Sequence, residues 1–212
     1  MRAGSFLTAI KIAVLVVIVG MYTLSASVKQ LSAQQAPEDP RIEPALRESR
    51  KMAGELTDKV RKLLLEELKK GGYVEALRVC SEVAQDITSQ FNKRAGYNIR
   101  RISLGYRNLK DIPDEYERHK LELFDRLNDE NKLATEYFEV VKERDVEYLR
   151  YLKPLKTAEM CTVCHGQIDE IPHRVMSILQ EAYPDDRAIG YRLDDVRGAV
   201  SVKVALQPRP IH

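Results

Sequence analysis

The strongest constraint on this 212-residue chain is a five-residue string near its C-terminal end, Cys161-Thr-Val-Cys164-His165. Two thiols three positions apart fall on one turn of helix, with an imidazole directly after them. The fold therefore has to leave one face of a short segment open to something that two sulfurs and a ring nitrogen reach together. The third cysteine, Cys80, lies far upstream, and three cysteines are too few to staple a chain of this length. Hydrophobic residues make up 44% and charged residues 31%, an ordinary globular mix that excludes disorder throughout. Lys plus Arg total 34 against 32 Asp plus Glu, a net charge of +2. That balance gives no bulk reason for binding nucleic acid, and no such partner is expected.

C-x-x-C-H is the attachment signature of c-type haem. Thiols at this spacing reach two haem vinyl groups and form thioethers, and the adjacent histidine offers a nitrogen to the iron. The leading reading is one covalently attached haem c on Cys161 and Cys164, with His165 as an axial ligand. An alternative uses the same residues: Cys80, Cys161, Cys164 and His165 make a Cys3His set of the kind that holds structural zinc. Adjacent Cys-His ligands, however, close a tetrahedron awkwardly. A thioredoxin-like dithiol would need a βαβ context that this sequence lacks.

The chain opens with an apolar run, Ile12 to Leu24, flanked by Arg2 and Lys11. Its length suits a signal h-region and, counted back to Phe6, approaches a membrane span. Ser25-Ala26-Ser27 and Leu31-Ser32-Ala33 both offer small residues for cleavage. Residues 1–27 are expected to be a signal peptide or membrane anchor, and 28–44, with Pro37, Pro40 and Pro44, a linker. The remainder, 45–208, is expected to be a haem-binding domain outside the cytoplasm. It would be periplasmic, either soluble or tethered to the inner membrane by an uncleaved N-terminal helix.

Periodicity organises the domain as α+β. Met52, Leu56, Val60, Leu63, Leu64 and Leu68 recur at helical spacing up to Gly71-Gly72, which ends the helix. A second helix over 73–95 carries Leu77, Cys80, Ala84, Ile87 and Phe91 on one face, pointing Cys80 to the core. Strands are expected over 98–104, 137–141, 146–155 and 198–206, with a charged turn at 142–145. In the last strand Val200, Val202, Val204 and Leu206 share one face, Ser201 and Lys203 the other. Helices are expected from Asp114 to Leu127 and from Val175 to Ala182.

A haem held by His165 needs a sixth ligand or an open site. The residue types allow Met160, His173, Met176 and Cys80, and more remotely His119 and His212. Met176 reads equally as core filler, His119 as part of a charged surface helix, and Cys80 as a packed thiol. Arg107 with Asn108, Arg101 and Lys153 are candidate partners for the haem propionates.

Several segments, in order, resemble the PAS-like c-type haem domain family of exported single-haem proteins. They are Ala76-Leu-Arg-Val-Cys80-Ser-Glu-Val-Ala84, Ser103-Leu-Gly-Tyr-Arg-Asn108 and Ile112-Pro-Asp-Glu-Tyr-Glu117. Tyr151-Leu-Lys-Pro154, Cys161-Thr-Val-Cys-His-Gly166, Tyr183-Pro-Asp-Asp-Arg-Ala-Ile-Gly190 and Asp195-Val-Arg-Gly-Ala-Val-Ser201 complete the set. The resemblance implies a PAS-like antiparallel sheet with flanking helices, here preceded by the N-terminal hydrophobic helix. It also implies that Cys80 ligates the iron opposite His165. A thiolate there favours ferric, six-coordinate, low-spin iron with a low reduction potential.

The function expected is a redox role, electron transfer or redox sensing, with a separate protein partner whose identity the sequence does not give. The chain ends soon after its last strand, which favours a carrier or a sensor acting through that partner. A haem-based gas sensor is the alternative. An enzyme is not expected, because no distal histidine and arginine pair is evident.

Overall fold

Helical periodicity in the first third of the domain produces α1, Ile42–Arg78, in the computed structural model, which describes residues 39–79, 83–92 and 96–207. The helix begins inside the segment assigned to the linker. Pro44 sits in its first turn, where a missing N–H breaks no hydrogen bond. Gly72, with φ 69° and ψ −156°, interrupts α1 where the glycine pair predicted a break. That backbone conformation is readily adopted only by glycine. The apolar run 12–24, Cys80 and His212 lie outside the described residues. Among the described residues no helix is long and apolar enough to cross a membrane.

Next come α2, Ala84–Phe91, and β1, Tyr97–Ile102. Then follow α3, Glu115–Asp129, β2, Tyr137–Glu143, and β3, Val146–Lys156. Two short helices, α4, Glu159–His165, and α5, His173–Ala182, precede the last strand, β4, Val196–Ala205. The charged turn is tighter than its composition suggested. Strand β2 runs on to Glu143, and Arg144 takes φ 55° at the reversal.

The four strands form one antiparallel sheet in the order β1-β4-β3-β2, so the last strand in sequence is inserted between the first and third. On one face Val200, Val202 and Val204 of β4, with Ile99, Leu149 and Tyr151, pack against Leu46, Met52 and Leu56 of α1. On the other, Ala199, Ile102 and Leu152 pack against Leu121 and Phe124 of α3. This second layer buries Ser201, on the face opposite the valines where alternation placed it. The chain is α+β with a helix-flanked antiparallel sheet, as expected.

Two local devices fix the layers. Asp114 and Glu117 form a capping box at the start of α3, with bonds of 2.7 and 2.9 Å. The guanidinium of Arg150, buried on β3, reaches Asp114 at 2.8 Å and Glu143 at 3.2 Å and lies over the Tyr116 ring. Gly198 is required by packing: a Cβ there would collide with the Ile102 carbonyl oxygen.

Candidate functional site

The cysteine motif is the body of α4. Gly166 closes the helix, its N–H donating to the Thr162 carbonyl at 2.6 Å. No residue of α4 is fully buried; Cys161, Cys164 and His165 are all partly exposed. The helix rests on a small apolar cluster of Leu77 from the end of α1 with Ile171, Val175 and Leu179, against which Cys164 packs.

A loop from Asp186 to Tyr191 binds the C-terminal end of α4. The N–H groups of Tyr191 and Gly190 donate to the carbonyls of His165 and Gly166 at 2.9 and 2.8 Å, and Gln167 Nε2 donates to the Gly190 carbonyl. Arg107 ties loop and helix together: its Nε donates to Asp186 Oδ2 at 2.9 Å and its Nη2 to the Cys164 carbonyl at 2.7 Å. Both side chains of the Arg107–Asp186 pair are buried, at 8% and 7% exposure, so this is an interior ion pair and not a surface one. The other oxygen of Asp186 accepts the Ala188 N–H at 2.8 Å and sets that residue's carbonyl.

That carbonyl lies 2.7 Å from His165 Nδ1. A carbonyl oxygen only accepts, so Nδ1 carries the proton and Nε2 keeps its lone pair. Burial first, then the guanidiniums of Arg197 and Arg107, push the imidazole well below its ordinary pKa, against the Ala188 bond that raises it. The ring is neutral at physiological pH and held in one tautomer, the state of a ligating histidine. Tyr191 meets it edge-on, ring centroids 6.5 Å apart.

Two cavities meet at this histidine. One is apolar: Leu64, Leu68, Ala76 and Leu77 of α1 face Cys161, Cys164 and His165. The second is mixed: Arg101, Ser103, Arg107, Asn108, Arg197 and His165 line it together with Ile102, Leu155 and Tyr183. Arg107, Arg197 and His165 border both. A separate cleft lined by Asp125, Asn128, Asp129 and Asp195 contains no thiol or imidazole.

The structure thus brings together Cys161, Cys164, His165, Arg101, Arg107 and Asn108. Met160 lines the apolar cavity. Lys153 lines neither cavity and acts on Glu136, helping to hold its carboxyl ionised. His173 is exposed at the start of α5, Met176 packs against the cluster around Leu179, and His119 sits on the surface 3.7 Å from Glu122. Arg197, Asp186 and Ala188 were missed. Arg197 lies within one of the resembling segments, but a lone arginine before a glycine carries no site signal of its own.

The residues present fit a haem. Two thiols and a neutral imidazole face an apolar wall, as an amphiphilic macrocycle with a metal centre requires. Three guanidiniums close to His165 suit an anionic group better than a dication.

Fold and site define a class: an α+β domain of PAS-like sheet architecture with a thiol-and-imidazole helix against an apolar cavity. The Tll0287-like family model matches residues 24–205, and the chain belongs to that family. The crystal structure of the cyanobacterial heme-protein Tll0287 shares the fold, with a TM-score of 0.61 at 24% identity. The match covers 81% of this chain and 100% of that one. No curated protein matches the chain.

Proposed function

We propose that the protein carries one haem c, attached through Cys161 and Cys164 and ligated by His165, and that it exchanges single electrons with a protein partner outside the cytoplasm. The observation that carries this reading is the His165–Ala188 bond of 2.7 Å. It leaves Nε2 as a lone-pair donor beside two thiols and an apolar cavity. A bound haem supplies one-electron exchange between ferric and ferrous iron. The chain's own residues do the rest. Cys161 and Cys164 fasten the group, Leu64, Leu68 and Leu77 exclude water from it, and Ala188 fixes the imidazole.

Cys80 is proposed as the opposite ligand, on the family resemblance and on its place in the sequence. It follows Ala76 and Leu77, which line the apolar cavity, by four and three positions. Membership of the Tll0287-like family and the heme-protein title of the matching structure support the cofactor. The apolar run at 12–24 supports export, either as a cleaved signal or as an anchor.

The test is a spectroscopic redox titration of the full chain matured with c-haem machinery. The expected result is a low-spin ferric spectrum and a single one-electron wave at low potential, both altered in Cys80→Ala. Unchanged spectra in that variant would remove Cys80 from the coordination sphere.

A further inference from the structure

Three arginines line the second cavity beside His165, and among the described residues each leaves a buried donor unused. Arg107 gives Nε to Asp186 at 2.9 Å and Nη2 to the Cys164 carbonyl at 2.7 Å, while its Nη1 has no partner among the described residues. Arg197 gives Nη1 to Ser103 Oγ at 2.6 Å and to the Gly105 carbonyl at 2.9 Å, leaving Nε unpaired. Arg101 reaches Asp111 at 3.6 Å, and its Nε is likewise unpaired. A buried donor without a partner costs about 1–3 kcal/mol, and more on a charged group. Among the described residues, three arginines that border one cavity each keep one such donor.

Charge points the same way. The three guanidiniums are answered by two carboxylates, Asp111 and Asp186; among the described residues none lies within ion-pair distance of Arg197, on which Asp111 acts from further off. Burial, then Arg107 and Arg101 nearby, lower the pKa of Arg197 against Tyr191 and Asp111, which raise it. The planar fork of a guanidinium matches a carboxylate in shape and donor spacing.

We propose that Arg101, Arg107 and Arg197 form a carboxylate clamp beside His165, and that in the haem-loaded protein the carboxylates are the two propionates. The proposal rests on the haem reading above. It follows from the shape of the macrocycle, whose vinyl groups lie along one edge and whose propionates lie along another. The cysteines line the first cavity and Arg101 the second, while Arg107, Arg197 and His165 stand where the two meet.

The experiment compares full-length, haem-matured wild type with Arg197→Gln, Arg197→Lys and Lys153→Gln. In Arg197→Gln the carboxylate bands of the redox-difference infrared spectrum shift while the visible maxima stay put. The equilibrium constant for reduction falls by roughly tenfold, the scale of one charge removed at about 10 Å in a protein interior. Arg197→Lys restores the equilibrium constant but leaves the bands shifted, because the charge returns without the fork. Lys153→Gln matches wild type. Wild-type infrared bands in Arg197→Gln with haem attached would sink the clamp alone, whereas wild type without pyridine-haemochrome absorbance would sink the haem reading and the clamp together. Phosphate or acetate titrated into wild type at constant ionic strength should give no saturable shift. A saturable shift that Arg197→Gln abolishes would give the site to a free oxyanion and overturn the propionate assignment.

Discussion

The sheet and the lobe that carries the cysteine motif are built on different physics. In the sheet, Leu149, Leu152 and Val202 are wholly buried, as is Phe124 of the covering α3, and β4 is packed on both faces by helices far from it in sequence. In the lobe, α4 buries no residue fully, its apolar support is a small cluster around Leu77, Ile171, Val175 and Leu179, and a loop is tied to it by hydrogen bonds and one interior ion pair. The scaffold closes on itself. The lobe presents two thiols and an imidazole toward an apolar wall from α1, and the sheet carries Arg101 and Arg197 to the same place.

The largest effect that sharpens this contrast is loss of the thiols. Cys161→Ala with Cys164→Ala should abolish covalent haem while the sheet folds, seen as no haemochrome absorbance alongside an unchanged far-ultraviolet circular dichroism spectrum. Next is the core itself. Phe124→Ala should cost about 3–5 kcal/mol in both haem-loaded and haem-free chain, by denaturant unfolding. Leu179→Ala, in the lobe, should weaken the haem-loaded form more than the haem-free one. Equal losses in the two forms would break the comparison.

Asp186→Asn should follow at about 3 kcal/mol, because it leaves Arg107 buried without its counter-charge. It should also loosen the Ala188 carbonyl, shifting the iron–imidazole vibration in resonance Raman spectra. A Tm change with no vibrational change would reduce Asp186 to a structural role.

The smallest effect is on pH dependence. Lys203 hydrogen-bonded to Glu143 and Arg50 to Glu136 hold those carboxyls below their ordinary values. At Asp114 burial works the other way, but the Glu117 N–H and Arg150 outweigh it and the pKa is lowered. Groups depressed in the folded state stabilise it above their ordinary pKa and lose that contribution as pH falls through the folded value. Unfolding free energy should therefore fall between about pH 5 and pH 2, and Asp114→Asn should flatten that limb modestly, since the group is half-exposed.

Much of the scaffold could be read from residue pattern. The Gly71-Gly72 break, the strand alternation in β4 and the placement of Asp114 at a helix start all follow from local chemistry. The strand order could not be, because inserting β4 between β1 and β3 is a choice among long-range pairings. Ser201 shows the consequence: alternation puts it opposite the valines, but only the second helical layer decides that this face is buried. The site divides likewise. Cys161, Cys164 and His165 are contiguous and carry their own signal. Ala188 contributes a carbonyl, which every residue has, and Arg107 meets Asp186 across 79 positions. Arg197 faces the site only because the sheet carries it there.

The most direct measurement is the pyridine-haemochrome spectrum of the full-length protein after export through c-haem maturation, paired with metal analysis of the same sample. One haem per chain, with the absorbance of a macrocycle whose two vinyl groups are saturated by thioethers, is the predicted result. A chain without that absorbance, containing one zinc per molecule, would contradict the account at its root.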